Sequence, residues 1–173
     1  MIAVVSGGTK GIGRAISELF LEQGIKVYIS SRTKDNNFSH DNLVQFEADL
    51  SAKSGVNDFA DFIKAKETQV DILVNNVGVF VPGSLMDEED GMFELQLDTN
   101  LASTYHLTRA LISEVRKSDN AYIYNICSTA SITPYMNGGS YCISKYAQLG
   151  FTKVLSEELK PEKIRVSAVL PGA

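Results

Sequence analysis

Cysteine is scarce: Cys127 and Cys142 are the two in 173 residues, too few for a disulfide framework. Neither has a His, Asp or Glu cluster beside it, so no metal site and no nucleophilic thiol is expected. Histidine is as scarce. His40 sits in a polar loop and His106 on a helix, each without a ligand partner nearby in sequence. Basic charge is in deficit, 16 Lys and Arg against 21 Asp and Glu, and no basic run breaks the balance. That argues against a nucleic-acid binder. No apolar stretch is long enough to cross a bilayer, so no membrane partner is expected. The first residues lead directly into a strand rather than a signal peptide, so a cytoplasmic location with reduced thiols is expected. Repeats, low-complexity tracts and linkers are also missing. What remains is 44% hydrophobic and 21% charged, an ordinary globular balance, at a length that suits one domain with a sizeable core.

The N-terminus "MIAVVSGGTKGIGRAISELF" reads as strand, glycine-rich turn and helix. Gly7, Gly11 and Gly13 follow the spacing G-x-x-x-G-x-G. Glycine lets the backbone approach a ligand closely, and the helix that follows turns free N–H groups and a positive dipole end toward a phosphate. The spacing is not a Walker loop, which needs G-K-[ST]. Ile12, Ala15, Ile16, Leu19 and Phe20 are expected to form the inward stripe of this helix.

Strand-like and helix-like segments then alternate. The first helix is expected over about residues 11–23, ended by Gly24. "KVYIS" and "LVQFEA" read as strands two and three, and residues 56–67 as a helix with Val56, Phe59, Ala60 and Ile63 inward. "VDILVNN" is strand four, residues 91–117 one long helix, and "NAYIYNICS" strand five. A helix over about residues 140–159 and a sixth strand, "IRVSAVL", complete the chain. Such alternation implies right-handed βαβ units and a parallel sheet.

On the last helix Tyr141 and Lys145 lie four residues apart, hence on one face. A phenol beside a fixed cation gives up its proton more readily than a free one and can serve as a proton donor to a carbonyl. Ser128 lies thirteen residues upstream of Tyr141 and could hold the carbonyl oxygen. Tyr-x-x-x-Lys alone is a weak signal, because both residues are common on amphipathic helices.

Taken in order, the landmarks resemble the short-chain dehydrogenase/reductase family, in its non-extended branch typified by 3-oxoacyl-carrier-protein reductases. "SGGTKGIG" matches T-G-x-x-x-G-x-G with Ser6 in place of threonine. "ADL" at 48–50 and "NNVG" at 75–78 match two further segments, the second with Val77 in place of alanine. Asn100 in "DTNLAS", then Ser128, Tyr141 and Lys145, match the four catalytic positions, and Pro171-Gly172 the P-G after the sixth strand. The resemblance spans residues 2–173.

The resemblance implies an α/β fold of Rossmann type: a doubly wound parallel sheet of order 3-2-1-4-5-6, in one nucleotide-binding domain over residues 1–173. It implies hydride transfer between a nicotinamide and a ketone, aldehyde or alcohol. Tyr141 would donate the proton, Lys145 hold the ribose and favour the tyrosinate, Ser128 orient the carbonyl oxygen, and Asn100 fix a water that replaces the proton. The cofactor positions it implies are Gly7, Lys10, Gly11, Ile12, Gly13, Ser31, Arg32, Asp49, Leu50, Asn76, Gly78, Tyr141, Lys145, Pro171 and Gly172. NAD-preferring folds place a carboxylate at the end of strand two. Here Ser31 and Arg32 stand there, with Lys10 in the glycine loop, a set suited to a 2′-phosphate. NADP(H) is therefore the expected cofactor. Asp49 would receive the adenine amino group, or else cap the next helix, a role open to Ser51.

Two other readings stay open: a catalytically weak dinucleotide-binding sensor or scaffold, and a sugar-nucleotide enzyme of the extended branch, which the glycine spacing disfavours. "MDEED" at 86–90 is expected to start a helix or edge the mouth of the site. Tyr105, Leu107 and Leu111 could contribute to a homodimer or homotetramer. The resemblance also leads to the expectation that the polypeptide continues past Ala173, where family members carry the substrate lid and a seventh strand. "IRVSAVL" is apolar enough to be buried on both faces and would otherwise be an open edge.

Overall fold

Strand β1 (Ile2–Ser6) shows how the sheet is built. Side chains alternate along a strand: Ala3 and Val5 enter the apolar cluster on one face, Val4 the cluster on the other. With both faces covered, the strand is a continuous apolar run. The computed structural model describes residues 1–162 and 164–172. After β1 come α1 (Gly11–Glu22), β2 (Lys26–Ser31), β3 (Leu43–Glu47), α2 (Lys53–Lys64), β4 (Ile72–Asn75) and α3 (Met92–Leu97). Then follow α4 (Ser103–Val115), β5 (Tyr122–Ile126), α5 (Gly139–Leu159) and β6 (Arg165–Val169). The expected domain boundary at Ala173 lies outside the described residues.

The strands form one parallel sheet in the order β3-β2-β1-β4-β5-β6, the doubly wound arrangement of a single-domain Rossmann-type α/β fold. In β1, Ala3 pairs with Val27 of β2 on one side and Ile72 of β4 on the other. The chain reverses direction across the sheet between β1 and β4, so the carboxyl ends of these strands frame the crevice where such sheets bind ligands. On one face Val56, Phe59, Ala60 and Ile63 of α2 are buried as expected, with Leu107 and Leu111 of α4 beside them. Those two leucines are core residues, whereas Tyr105 stays exposed.

Three local expectations are corrected. In α1, Ile12 and Leu19 are 46% and 52% exposed, and the buried residues are Gly13, Ser17 and Leu21. The helix lies too close to the sheet edge for large side chains: a Cβ on Gly13 would sit 2.4 Å from the Gly7 carbonyl oxygen. Gly13 and Ser17 therefore face inward where the helix comes closest, Ile16 and Phe20 pack against the core as expected, joined by Leu21, and Ile12 and Leu19 are turned aside. Residues 91–117 are not one regular helix, because α3 and α4 are joined by a π-helical stretch, Asp98–Ala102, that carries the buried Asn100. Finally, β6 is not buried on both faces. Val166 and Ala168 are half-buried, while Arg165, Ser167 and Val169 are exposed. Helix α5 packs on β6, and among the described residues the opposite face is open.

Candidate active site

The glycine turn is held by three strand ends. Ser6 Oγ accepts from the backbone N–H groups of Asn76 and Val77 at 2.9 and 3.0 Å. Asn76 Nδ2 donates back to the carbonyls of Ser6 and Gly7 at 2.9 and 3.1 Å. The Gly8 N–H donates to the Ser30 carbonyl at 3.1 Å, which adds the end of β2. Two glycines are needed here for different reasons. Gly11 has φ +54°, a conformation that L side chains rarely adopt. Gly13 has no room for a side chain, since a Cβ would lie 2.3 Å from Asn76 Nδ2.

These ends open into a cavity of about 990 Å³. It is lined by Gly7, Lys10, Ile12, Ser31, Arg32, Asp49, Leu50, Asn76, Gly78, Ser128, Tyr141, Lys145, Pro171 and Gly172. The cavity thus gathers fourteen of the seventeen residues singled out from the sequence, from seven separate segments. Gly11, Gly13 and Asn100 do not line it. The glycines stand behind the turn, and Asn100 is fully buried behind Val79. Thr9, Phe80, Leu95, Thr99 and Tyr135 line the cavity as well. No short motif marked them, although Phe80 stands two residues beyond the "NNVG" segment.

At one end lie Ser31, Arg32 and Lys10. Ser31 Oγ donates to the Thr33 carbonyl at 2.8 Å, and Arg32 and Lys10 are exposed. Glu47 pairs in register with Ser31 but does not line the cavity. Asp49 forms a tight turn: its Oδ1 accepts from Ser51 N–H at 3.0 Å and Ser51 Oγ at 2.8 Å. Those two bonds, aided by the charge of Arg32, hold its carboxyl below the ordinary range. Neither residue caps α2, whose N-cap is Ala52 without a side-chain bond.

At the other end, β5 and α5 bring Ser128, Tyr141 and Lys145 together. Ser128 caps a short 3-10 turn, with Oγ accepting from Ala130 N–H at 3.1 Å. Its O–H has no protein acceptor among the described residues, which leaves the hydroxyl proton for the cavity. The Tyr141 ring packs edge-on against Phe80 with centroids 4.7 Å apart. Lys145 is 4% exposed, and its Nζ lies 5.9 Å from the Tyr141 ring centroid. Nζ donates to the Ile126 carbonyl at 3.0 Å and to Gln148 Oε1 at 2.9 Å, which leaves one of its three N–H groups unassigned. Burial lowers the Lys145 pKa to about 8, with Cys127 partly opposing it.

Asn100 is committed elsewhere. Its Oδ1 accepts from Val79 N–H at 2.7 Å, and its Nδ2 donates to the Val79 carbonyl and to Ser144 Oγ, both at 2.9 Å. The side chain therefore clips the loop after β4 to α5. Its main-chain carbonyl accepts from Thr104 Oγ1 at 3.4 Å.

The "MDEED" segment does not start a helix. α3 begins at Met92 behind a left-handed Gly91. Glu88 instead reaches the first turn of α5, where its carboxylate accepts from the Ser140 N–H at 2.7 Å and from the Ser140 hydroxyl. A carboxylate suits a helix N-terminus, where N–H groups lack partners. Glu88→Ala is expected to lower stability by about 1 kcal/mol, read from the denaturant midpoint. An unchanged midpoint would mean that this contact contributes nothing.

Comparison with known proteins identifies the family and agrees with the fold. The family profile described as short chain dehydrogenase matches residues 1–173. The chain is 34% identical over 182 aligned residues to the monensin polyketide synthase putative ketoacyl reductase of Streptomyces virginiae, covering 99% of this chain and 69% of that protein. A short-chain dehydrogenase structure from Streptomyces avermitilis superposes with a TM-score of 0.94 at 25% identity, covering 99% of this chain and 66% of that one. A metagenomic short-chain oxidoreductase in complex with NADP superposes with a TM-score of 0.92 at 29% identity, covering 100% of this chain and 81% of that one. The chain thus spans about two thirds of the length of the first two of these proteins. Among the described residues, no helix is long and apolar enough to cross a membrane, and no group of three or more His, Cys, Asp or Glu could hold a metal ion.

Proposed function

The chain belongs to the short-chain dehydrogenase family of oxidoreductases, and from that premise we propose that it uses NADP(H) to interconvert a ketone or aldehyde and an alcohol. The observation that carries this reading is the meeting of Ser128, Tyr141 and Lys145 at one end of a cavity whose other end holds Ser31, Arg32 and Lys10. The cofactor site and the reacting residues then belong to one unit over residues 1–173. The residues present fit the cofactor. The glycine turn leaves backbone close to the cavity, two cations lie near a strand end that carries no carboxylate, and the cavity is lined both by Arg32 after β2 and by Tyr141 beside β5, with β1 and β4 between these strands.

Bound there, the nicotinamide supplies or accepts the hydride. Every other step falls to this chain. The free hydroxyl proton of Ser128 holds the carbonyl oxygen of the substrate. Tyr141 gives its phenolic proton to the same oxygen as it becomes an alcohol oxygen. Lys145 offers its unassigned N–H to the ribose hydroxyls, and its charge acts on the phenol across a short distance in a site of low polarity. Asn100 keeps the loop after β4 in place. With its side chain committed to Val79 and Ser144, any part in resupplying the proton would fall to its main-chain carbonyl, which already accepts from Thr104 Oγ1.

Titration with each cofactor tests the binding half. NADPH is expected to bind at least about tenfold tighter than NADH, or roughly 1.4 kcal/mol, and Arg32→Ala should remove most of that difference. Equal affinities would overturn the cofactor assignment. Incubation with NADPH and a panel of ketones and aldehydes tests the chemical half. Tight binding without oxidation of NADPH on any of them would favour a dinucleotide sensor or scaffold. A cytoplasmic homodimer or homotetramer belongs to the same reading. The buried free thiols Cys127 and Cys142 suit a reducing compartment, and the exposed apolar side chains of Tyr105 and Val154 on α4 and α5 offer surface for a second copy.

A further inference from the structure

Helix α5 turns a polar stripe toward the interior. Ser144, Gln148 and Thr152 follow one another at four-residue steps, and they are 0%, 0% and 3% exposed. Residues four apart share a helix face, so the face that would ordinarily be apolar carries a hydroxyl, an amide and a second hydroxyl. Buried polar groups persist where they are paired, and each of these is. Ser144 Oγ accepts from Asn100 Nδ2 at 2.9 Å and donates to the Tyr141 carbonyl at 2.7 Å. Thr152 Oγ1 donates to the Gln148 carbonyl at 2.7 Å and accepts from Asn125 Nδ2 at 2.9 Å.

Gln148 stands between them with both ends of its amide in use. Oε1 accepts from Lys145 Nζ at 2.9 Å, and Nε2 donates to Thr104 Oγ1 at 3.0 Å. Thr104 in turn donates to the Asn100 carbonyl. The amide cannot swing away from the lysine without giving up α4. The other acceptor for Nζ is the Ile126 carbonyl. Among the described residues both acceptors are thus neutral dipoles, and neither is a carboxylate.

We propose that Gln148 is a positioning residue for Lys145: its amide, anchored on Thr104, fixes the ammonium beside Tyr141 and stabilises its charge without neutralising it. The inference rests on the reading of Lys145 as a working residue of the site. The arrangement has a physical logic. A carboxylate in this place would bind the ammonium tightly and cancel its field at the phenol. An apolar side chain would leave the ammonium short of an acceptor in a buried position. An amide holds the group and leaves its field intact. The titratable groups facing Nζ are Cys127 at the end of β5 and Tyr141 one turn back on α5. The loop after β4 and the π-helical stretch with α4 present Gly78, Asn100 and Thr104, none of which titrates. Burial has already brought Lys145 to about 8, so a change of acceptor should be readable in an accessible pH range.

The test is the pH titration of the Lys145 side chain in the cofactor-free protein, followed by NMR on lysine-labelled chain and assigned with Lys145→Met. Gln148→Glu is expected to raise the midpoint by at least about one pH unit, because a facing carboxylate favours the charged form. Gln148→Leu is expected to lower it by about half a unit or more, because the ammonium loses a dipole. A role confined to packing would change stability in both variants without moving the midpoint in opposite directions. If Gln148→Leu does not fold, Gln148→Asn replaces it: the shorter amide should lower the midpoint in the same direction. Midpoints within about 0.2 units of wild type in folded variants would overturn the proposal. Its failure is separable from failure of the functional reading. If Lys145→Ala kept full NADPH affinity, that reading would fall, whatever the titration showed.

Discussion

Tyr141→Phe is expected to lower the rate of carbonyl reduction by roughly two to four orders of magnitude, the range typical of removing a positioned general acid. NADPH affinity should stay within about twofold of wild type. The argument is one of shape and protons. The phenyl ring keeps the edge-on contact with Phe80 at 4.7 Å, so the wall of the cavity should hold its form. Only the hydroxyl is lost, and with it the one phenolic proton carried by the face of α5 that also carries Lys145. Ser128 does not replace it, because a serine hydroxyl is a much poorer acid than a phenol. The measurement is steady-state turnover of the best substrate from the ketone panel, alongside cofactor titration. Turnover within about threefold of wild type would remove Tyr141 as proton donor and direct the search to Tyr135, the other phenol lining the cavity. A matched loss of cofactor binding would point instead to a collapsed cavity.

Asn100→Ala is expected to cost about 2–4 kcal/mol of stability. Asn100 is fully buried, and its amide satisfies both the N–H and the carbonyl of Val79 as well as Ser144 Oγ. Alanine would strand the N–H and carbonyl of Val79 and take from Ser144 Oγ the bond it accepts, leaving only its bond to the Tyr141 carbonyl. A buried polar group left without a partner costs about 1–3 kcal/mol, reduced here for the half-buried Val79, which water can reach in part. Because Gly78 adjoins both Asn100 and Lys145, freeing the loop should also loosen the wall of the cavity, and NADPH affinity should fall with stability. Denaturant unfolding gives the first quantity and titration the second. A stability loss below about 0.5 kcal/mol together with a large loss of turnover would show that Asn100 acts on the chemistry directly rather than as a clip.

The extent to which this site is legible in the amino-acid order depends on the range of the interaction that makes each part. Features set by neighbours in the chain are readable. The glycine turn announces itself because Gly11 needs a positive φ and because a strand and a helix flank it. Tyr141 and Lys145 share a face because they are one helical turn apart. The alternation of strand and helix implies parallel pairing through right-handed crossovers, whereas the order β3-β2-β1-β4-β5-β6 is legible only through the family resemblance, because several strand orders satisfy the same handedness.

Features made by partners far along the chain are not. Nothing local says that Asn100 will spend its amide on Val79 and on Ser144, 21 and 44 residues away. Nothing local says that Glu88 will cap a helix beginning more than fifty residues later, so an acidic run reads as a helix start of its own. In α1 the apolar spacing picks out Ile16 and Phe20, which pack against the core, but wrongly includes Ile12 and Leu19, because how closely a helix approaches its sheet is settled by packing. Close approach selects Gly13 and Ser17 over Ile12 and Leu19. The four-residue spacing of Ser144, Gln148 and Thr152 is visible in the sequence but looks like a solvent face, since polar side chains are ordinarily exposed. Sequence by itself determined the family, the parallel fold and the residues that meet at the cavity. Only tertiary structure decided which polar side chains face the interior, because that depends on hydrogen-bond partners supplied by other elements once the sheet has closed.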